Sequence, residues 1–203
     1  MTHRTTRLQD IEAVDVAGVH WRPLRRTLGI TAFRTNAYSA DSGELLIEPH
    51  AEGDGEEEMY VLIAGAATFT VGEEEIAATP GTVVFCPEPG SHRTAVATAD
   101  GTLALAVGNR QGAAGPPSAW EHRFFARPFA DAGDFERAYA IAAAALEDHP
   151  DDVNTLYDLA CIDARAGNRE RALANLARAV ELDPRAREWA AEDSDLDAIR
   201  DAL

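Results

Sequence analysis

The hydrophobic period of this chain changes at one place, and no single kind of element accommodates both halves. Before Val107 the apolar residues fall in short, turn-bounded runs, whereas after Trp120 they recur at helical spacing. In "ATFTV", Ala67, Phe69 and Val71 share one side and Thr68 and Thr70 the other, the alternation of a half-buried strand. "ELLIEPH", "EMYVLIAG", "TVVFCPEPGSHRTAVA" and "TLALAVG" are runs of the same kind, closed off by Gly, Pro and acidic clusters as in a sandwich or barrel. "VGEEEI" reads as a tight turn in which Glu73, Glu74 and Glu75 are solvated. Between the halves lies "GNRQGAAGPPSAW", which has no period and reads as a connection. The expectation is therefore an α+β chain: an all-β domain over residues 1–108 with its core from about 21 to 108, a linker over 109–118, and a helical domain over 119–203.

The helical half repeats itself. "AGDFERA" at Ala132 returns as "AGNRERA" at Ala166, Ala145 returns as Ala179 and Pro150 as Pro184, all at an offset of 34 positions. Gly133 and Gly167 fit helix ends, where a left-handed residue closes the turn. Asp134 and Asn168 follow as N-caps of the next helix. Ala138 and Ala172 let helices approach closely, and Pro150 and Pro184 stop the second helix of each pair. This pattern resembles the tetratricopeptide repeat, a helix-turn-helix unit. Leu156, Leu159, Ala160, Ala172, Leu176, Ala179 and Pro184 occupy its apolar, small and Pro positions. The unit from Ala119 to Pro150 has a good second helix and a degenerate first one, and "REWAAEDSDLDAIRDAL" reads as a partial third unit that caps the stack. The resemblance implies a docking surface for a protein or peptide partner.

The strand-rich half carries two spaced motifs. Glu58 stands seven residues before Gly65, and Gly81, Pro87 and His92 follow in order. These resemble the signature motifs of the cupin superfamily, which implies a jelly-roll β-barrel, commonly dimeric, often with a divalent metal at its mouth. The departures are specific. The His-x-His pair is absent, and the nearest candidate, His50-Ala51-Glu52, lies two residues too far from Glu58. Asp54 and Glu56 stand at or near the second His spacing. Pro89 replaces the usual Gly, with Gly90 one place on, and Val96 replaces the usual Asn.

A divalent Mn, Fe or Ni site with open positions wants two or three imidazoles and a carboxylate facing one cavity. The chain offers at most His50, Glu52, Glu58 and His92, in a loop whose Glu52, Asp54, Glu56, Glu57 and Glu58 repel one another. The alternative for His92 is a hydrogen-bonded histidine, and for Glu58 a surface residue. No cofactor is expected, and a weakly held divalent ion (Mn, Fe, Ni or Zn) is the alternative. Tyr60 and Leu62 share the face of Glu58 by strand alternation and should line the pocket with or without metal, together with Val96. Cys86 reads as a strand core residue.

Composition narrows the functions. The formal charge of -17 is spread along the chain and repels phosphate backbones, so nucleic acid is not an expected partner. Cys86 and Cys161 are the two cysteines, with no Cys or His at metal spacing. No run of about 18 apolar residues occurs, and the first residues lack the apolar core of a secretory signal, so the expected setting is cytoplasmic. The expectation is a non-catalytic binding protein: a barrel that holds a small molecule or forms a homodimer, plus a peptide-docking helical module. The alternatives are a metal-dependent cupin enzyme of dioxygenase or isomerase type using His50, Glu52, Glu58 and His92, and an adaptor whose barrel only self-associates.

Overall fold

The computed structural model describes residues 3–53 and 55–202. The chain is α+β and divides into two compact units, Met1–Ala113 and Ala114–Leu203.

The first unit is built of two antiparallel sheets. β1 (Val14–Val16), β2 (Val19–Arg22), β3 (Arg34–Ala40), β5 (Glu56–Ala64), β8 (Val83–Cys86) and β10 (Thr102–Arg110) form one, in the order β1-β2-β3-β10-β5-β8. β4 (Leu45–His50), β6 (Ala67–Val71), β7 (Glu74–Ala78) and β9 (Arg93–Ala97) form the other, in the order β4-β9-β6-β7. A short helix, α1 (Leu24–Leu28), follows β2. Alternation sorts the side chains: on β10, Thr102, Ala104 and Ala106 are buried while Leu103, Leu105 and Val107 on the other face are half-buried. Leu46, Ile47, Tyr60, Leu62 and Phe69 anchor a single core between the sheets. β10 continues through Gly108 and Asn109 to Arg110, so the start of the segment that the sequence presents as a connection is strand.

Directly paired residues of antiparallel strands share a face, so the register can be read as rungs across each sheet. One rung runs Arg34, Gly108, Glu58, Cys86; the next Asn36, Ala106, Tyr60, Val84; the next Tyr38, Ala104, Leu62. The core-facing side chains thus grade from charged to apolar along the strands. In the second sheet the corresponding rung is His50, Arg93, Val71, Glu74. The charged ends of both sheets lie at the same end of the core, where Arg93 meets Glu58.

The second unit is helical: α2 (Ala119–Asp131), α3 (Phe135–Asp148), α4 (Val153–Arg165), α5 (Arg169–Leu182) and α6 (Ala186–Glu192), then a 3-10 helix over Ser194–Ala202. The side chains of Ser118, Asp134 and Asp152 each accept a backbone N–H of the following turn. Gly133 and Gly167 take φ of 81° and 82°, the left-handed conformation that ends α2 and α4 without a Cβ penalty. Ala138, Ala142 and Ala145 on α3, and Ala172 and Ala179 on α5, are fully buried where helices touch. α2 is a continuous helix that passes through Pro128.

One cap departs from expectation. Asn168 occupies the N-cap position of α5 but makes no capping bond. Its side-chain amide instead donates to Asp163, a fully buried carboxylate on α4. Arg171 and Asn175 on α5 donate to the same carboxylate, and the Arg171 guanidinium also lies 4.1 Å over the Tyr139 ring. A buried charge outcompetes a cap because its desolvation is offset only by several close donors. Among the described residues, no helix is long and apolar enough to cross a membrane.

Candidate functional site

The charged end of the β unit brings together three of the expected residues. His50 closes β4, Glu52 lies in the connection that follows, and Glu58 sits in β5 on the inward face, its side chain 12% exposed. His50 Nε2 is 3.5 Å from Glu58 Oε2 and 4.0 Å from Glu52 Oε1. His50 Nδ1 lies 2.8 Å from the Glu48 carbonyl oxygen, which can only accept, so Nδ1 carries a proton, and Nε2 turns to the carboxylates and donates to Glu58 when the ring is charged. The Tyr60 hydroxyl donates to Glu58 Oε2 at 2.5 Å and is 3.3 Å from His50 Nε2. Tyr60 and Leu62 point inward and are buried beneath Glu58.

Two guanidinium groups hold the carboxylates. The side chain of Arg93 is 0% exposed, and its Nε lies 3.5 Å from Glu58 Oε2. Its Nη1 donates to the Ser91 carbonyl at 2.7 Å. Arg34 lies 3.4 Å from Glu52 Oε2 and 2.9 Å from Glu56 Oε2. Gly108 makes room for the crossing: a Cβ there would stand 3.3 Å from Arg34 Nη2 and 3.5 Å from Glu58 Cγ.

The electrostatics follow from this packing. Burial pushes the Glu58 carboxyl upward, but the hydrogen bonds from His50 and Tyr60 and the charge of Arg93 outweigh it, so its pKa falls below the usual value. The hydrogen bond to Glu58 raises His50 above its ordinary value, against partial burial. Glu52 is pushed up by burial first and by its carboxylate neighbours next. Burial, then the Glu58 charge, raises the Tyr60 hydroxyl. Cys86, opposite Glu58 in the sheet, is buried, and that burial raises its thiol above the ordinary value.

Two expected residues lie elsewhere. His92 is exposed, and its carbonyl accepts the Gly72 N–H in a turn. The inward position belongs to the next residue, Arg93, paired with His50 and with Val71. Val96 is likewise 38% exposed on the outer face, while Ala95 and Ala97 point in. Strand alternation from Arg93 places Ala95 and Ala97 inward and Thr94 and Val96 on the opposite face. Asp54 lies outside the described residues, and Glu56 is tied to Arg34.

The metal reading can be tested on this donor set. One atom each from His50, Glu52 and Glu58 lie within 4.8 Å of one another, a spacing a divalent ion accepts. Yet Glu58 Oε2 is already shared by Tyr60, His50 and Arg93, and Glu52 by Arg34. At about 4 Å two unit like charges repel by about 4 kcal/mol at an effective dielectric near 20, and a divalent ion doubles that. The residues present do not fit a divalent ion while Arg93 keeps this position.

Residues 129–191 match the tetratricopeptide repeat family. The strand-rich unit is similar in fold to KdgF from Halomonas sp., at 17% identity over 54% of this chain and 96% of that one, TM-score 0.45. It is also similar to a cupin protein from Bacteroides fragilis (18%, 55% and 87%, TM-score 0.43) and to a Cupin 2 conserved barrel domain protein from Salinispora arenicola (18%, 56% and 92%, TM-score 0.44). The chain joins a strand-rich unit similar in fold to cupin proteins to a helical unit that matches the tetratricopeptide repeat over residues 129–191. No curated protein matches it in sequence. The strand-rich unit carries a charged mouth built on His50, Glu58 and Arg93.

The tetratricopeptide-like unit carries a separate concavity. A cavity of about 510 Å³ is lined by Arg123, Phe124 and Arg127 of α2 and by Tyr157, Asp158 and Arg165 of α4. Arg123 donates to Asp158 at 2.6 Å across it. On α2, Trp120, Phe124 and Phe125 are 57%, 65% and 72% exposed, with the Trp120 and Phe124 ring centroids 4.6 Å apart.

Proposed function

We propose that this chain is a non-catalytic binding protein whose helical unit docks a protein or peptide. The observation that carries the proposal is the concavity between α2 and α4, flanked by three exposed aromatic rings on one helix. Exposed aromatic clusters of this kind supply contact area at low entropic cost and mark interaction surfaces. The cupin-like unit belongs to the same proposal as a small-molecule holder or a dimerisation platform. Val83 and Phe85 on edge strand β8 are 56% and 54% exposed, and their register partners Val61 and Met59 extend that outer face. A cytoplasmic setting is also proposed and is consistent with two unpaired cysteines, Cys86 and Cys161. The test is cross-linking of the full chain in extract of its own cells. A discrete partner, reduced at least about tenfold by Phe124→Ala with Phe125→Ala at unchanged melting temperature, supports docking. Cross-linking indifferent to both changes removes it.

A second reading, the metal-dependent cupin enzyme expected to use His50, Glu52, Glu58 and His92, keeps the three of those donors that lie close together and requires Arg93 to move off Glu58. It requires stoichiometric metal in the purified protein, and metal-dependent turnover that Glu58→Gln abolishes.

A further inference from the structure

The charged mouth contains a group that a metal-binding version of the same site would have to expel. Arg93 stands on the inward face of β9, directly opposite His50 and Val71 in register. Its side chain is fully buried, and its Nε approaches the same Glu58 oxygen that receives the Tyr60 hydroxyl and faces His50 Nε2. The Ser91 carbonyl pins Nη1. Nε and Nη2 are buried with no hydrogen-bond partner among the described residues. A buried guanidinium left this incompletely paired is costly as pure structure, because each unmet donor loses its hydration. What it does supply is a permanent positive charge beside the Glu58 carboxylate that an ion placed among His50, Glu52 and Glu58 would share.

We infer that Arg93 is a tethered cation standing in for a divalent ion, and that His50, Glu52 and Glu58 form a latent metal site which its charge keeps closed. Two properties follow. Charge, not shape, excludes the ion, so a lysine at position 93 preserves exclusion and a neutral side chain of similar length relieves it. An imidazole on the inward face of β9 adds a ligand, so histidine at position 93 opens the site most fully.

The experiment uses the full chain, with MnCl₂ and NiCl₂ as probes, titration calorimetry for uptake and thermal melts for stability. Wild type and Arg93→Lys are expected to show no saturable uptake and no metal-dependent melting shift. Arg93→Met and Arg93→His are expected to take up one ion per chain, at least about tenfold more tightly than wild type. Their melts rise with added metal, and uptake is lost when Glu58→Gln is added. Uptake by wild type as tight as that of Arg93→His overturns the inference. So does binding by Arg93→Lys equal to that of Arg93→Met, since charge is then irrelevant. If the neutral variants are unfolded without metal, Mn or Ni must restore the folded signal; failure to do so also overturns it. Neutral variants that remain folded and take up nothing do the same.

Discussion

Arg93 and Glu58 reach each other from facing sheets, Nε to Oε2 at 3.5 Å, with the arginine side chain wholly buried. Each is the counter-charge that lets the other sit inside the β unit. Their energetic meaning therefore shows in pairs of substitutions more than in single ones.

Arg93→Met and Glu58→Gln should each destabilise the β unit by about 3–5 kcal/mol, because each leaves a charge without its partner. The double variant should cost less than the sum, with a coupling of about 1–3 kcal/mol. Urea unfolding of the four proteins measures it. Additive losses would mean the two charges do not sense each other.

His92→Ala should change stability by no more than about 0.5 kcal/mol, as for other exposed side chains free of a special role. His92 is exposed and contributes its backbone carbonyl to the turn, which alanine retains. A loss comparable to that of Arg93→Met would mean His92 takes part in the mouth.

The β unit should be most heat-stable in mildly acidic solution. Glu58 has a folded pKa lowered from 4.5, so its contribution is present above that value and is lost as pH falls through the folded one. His50 has a folded pKa raised from 6.5, so its contribution is full below that value and is lost as pH rises through the folded one. The two overlap between about 4.5 and 6.5. Melting temperature followed against pH should peak there, and Glu58→Gln with His50→Gln should flatten the peak.

Gly108→Ala should cost about 1–2 kcal/mol. The new Cβ meets the Glu57 carbonyl at 3.2 Å and Arg34 Nη2 at 3.3 Å; the arginine tip can yield, while the backbone oxygen cannot. Combining it with Arg34→Ala should give less than the summed loss in a chemical melt. Full additivity would show that Arg34 does not cross over Gly108.

Leu176→Asp should melt the helical unit, at a cost of about 3–5 kcal/mol for an unpaired buried carboxylate. Leu176 is 4% exposed and sits between Ala172 and Ala179 on the inner face of α5. Loss of most helical circular dichroism at room temperature is the expected reading; a native spectrum would place Leu176 on a face that tolerates water.

What the sequence discloses, and what it hides, divides along one physical line. Features set by local period are legible: Glu58, Tyr60 and Leu62 fall on one face because a strand alternates, and Ala172, Leu176 and Ala179 because a helix turns. Gly133 and Gly167 are legible for the same reason, since a helix end demands a left-handed residue. Features set by a neighbour far along the chain are not. Asn168 has the right residue type for a cap, but Asp163 draws its amide away. His92 has the right spacing from Pro87, but spacing is counted along the chain while facing depends on the residues in the intervening loop. Gly108 resembles connection because Gly-Asn-Arg has no apolar side chain, yet strand pairing needs only backbone, and β3 and β5 supply it on both sides.

A counter-charge written into the polypeptide has a consequence for physiology. An ion held by ligands can be stripped by a chelator, outcompeted by a rival, or missing when the growth medium runs short. A guanidinium arrives with translation, one per molecule, and stays ionised throughout the physiological pH range. On the inference that Arg93 stands in for an ion, the β unit completes its interior without drawing on metal supply, and cells starved of manganese, iron or nickel should accumulate it at the same level and with the same half-life as replete ones.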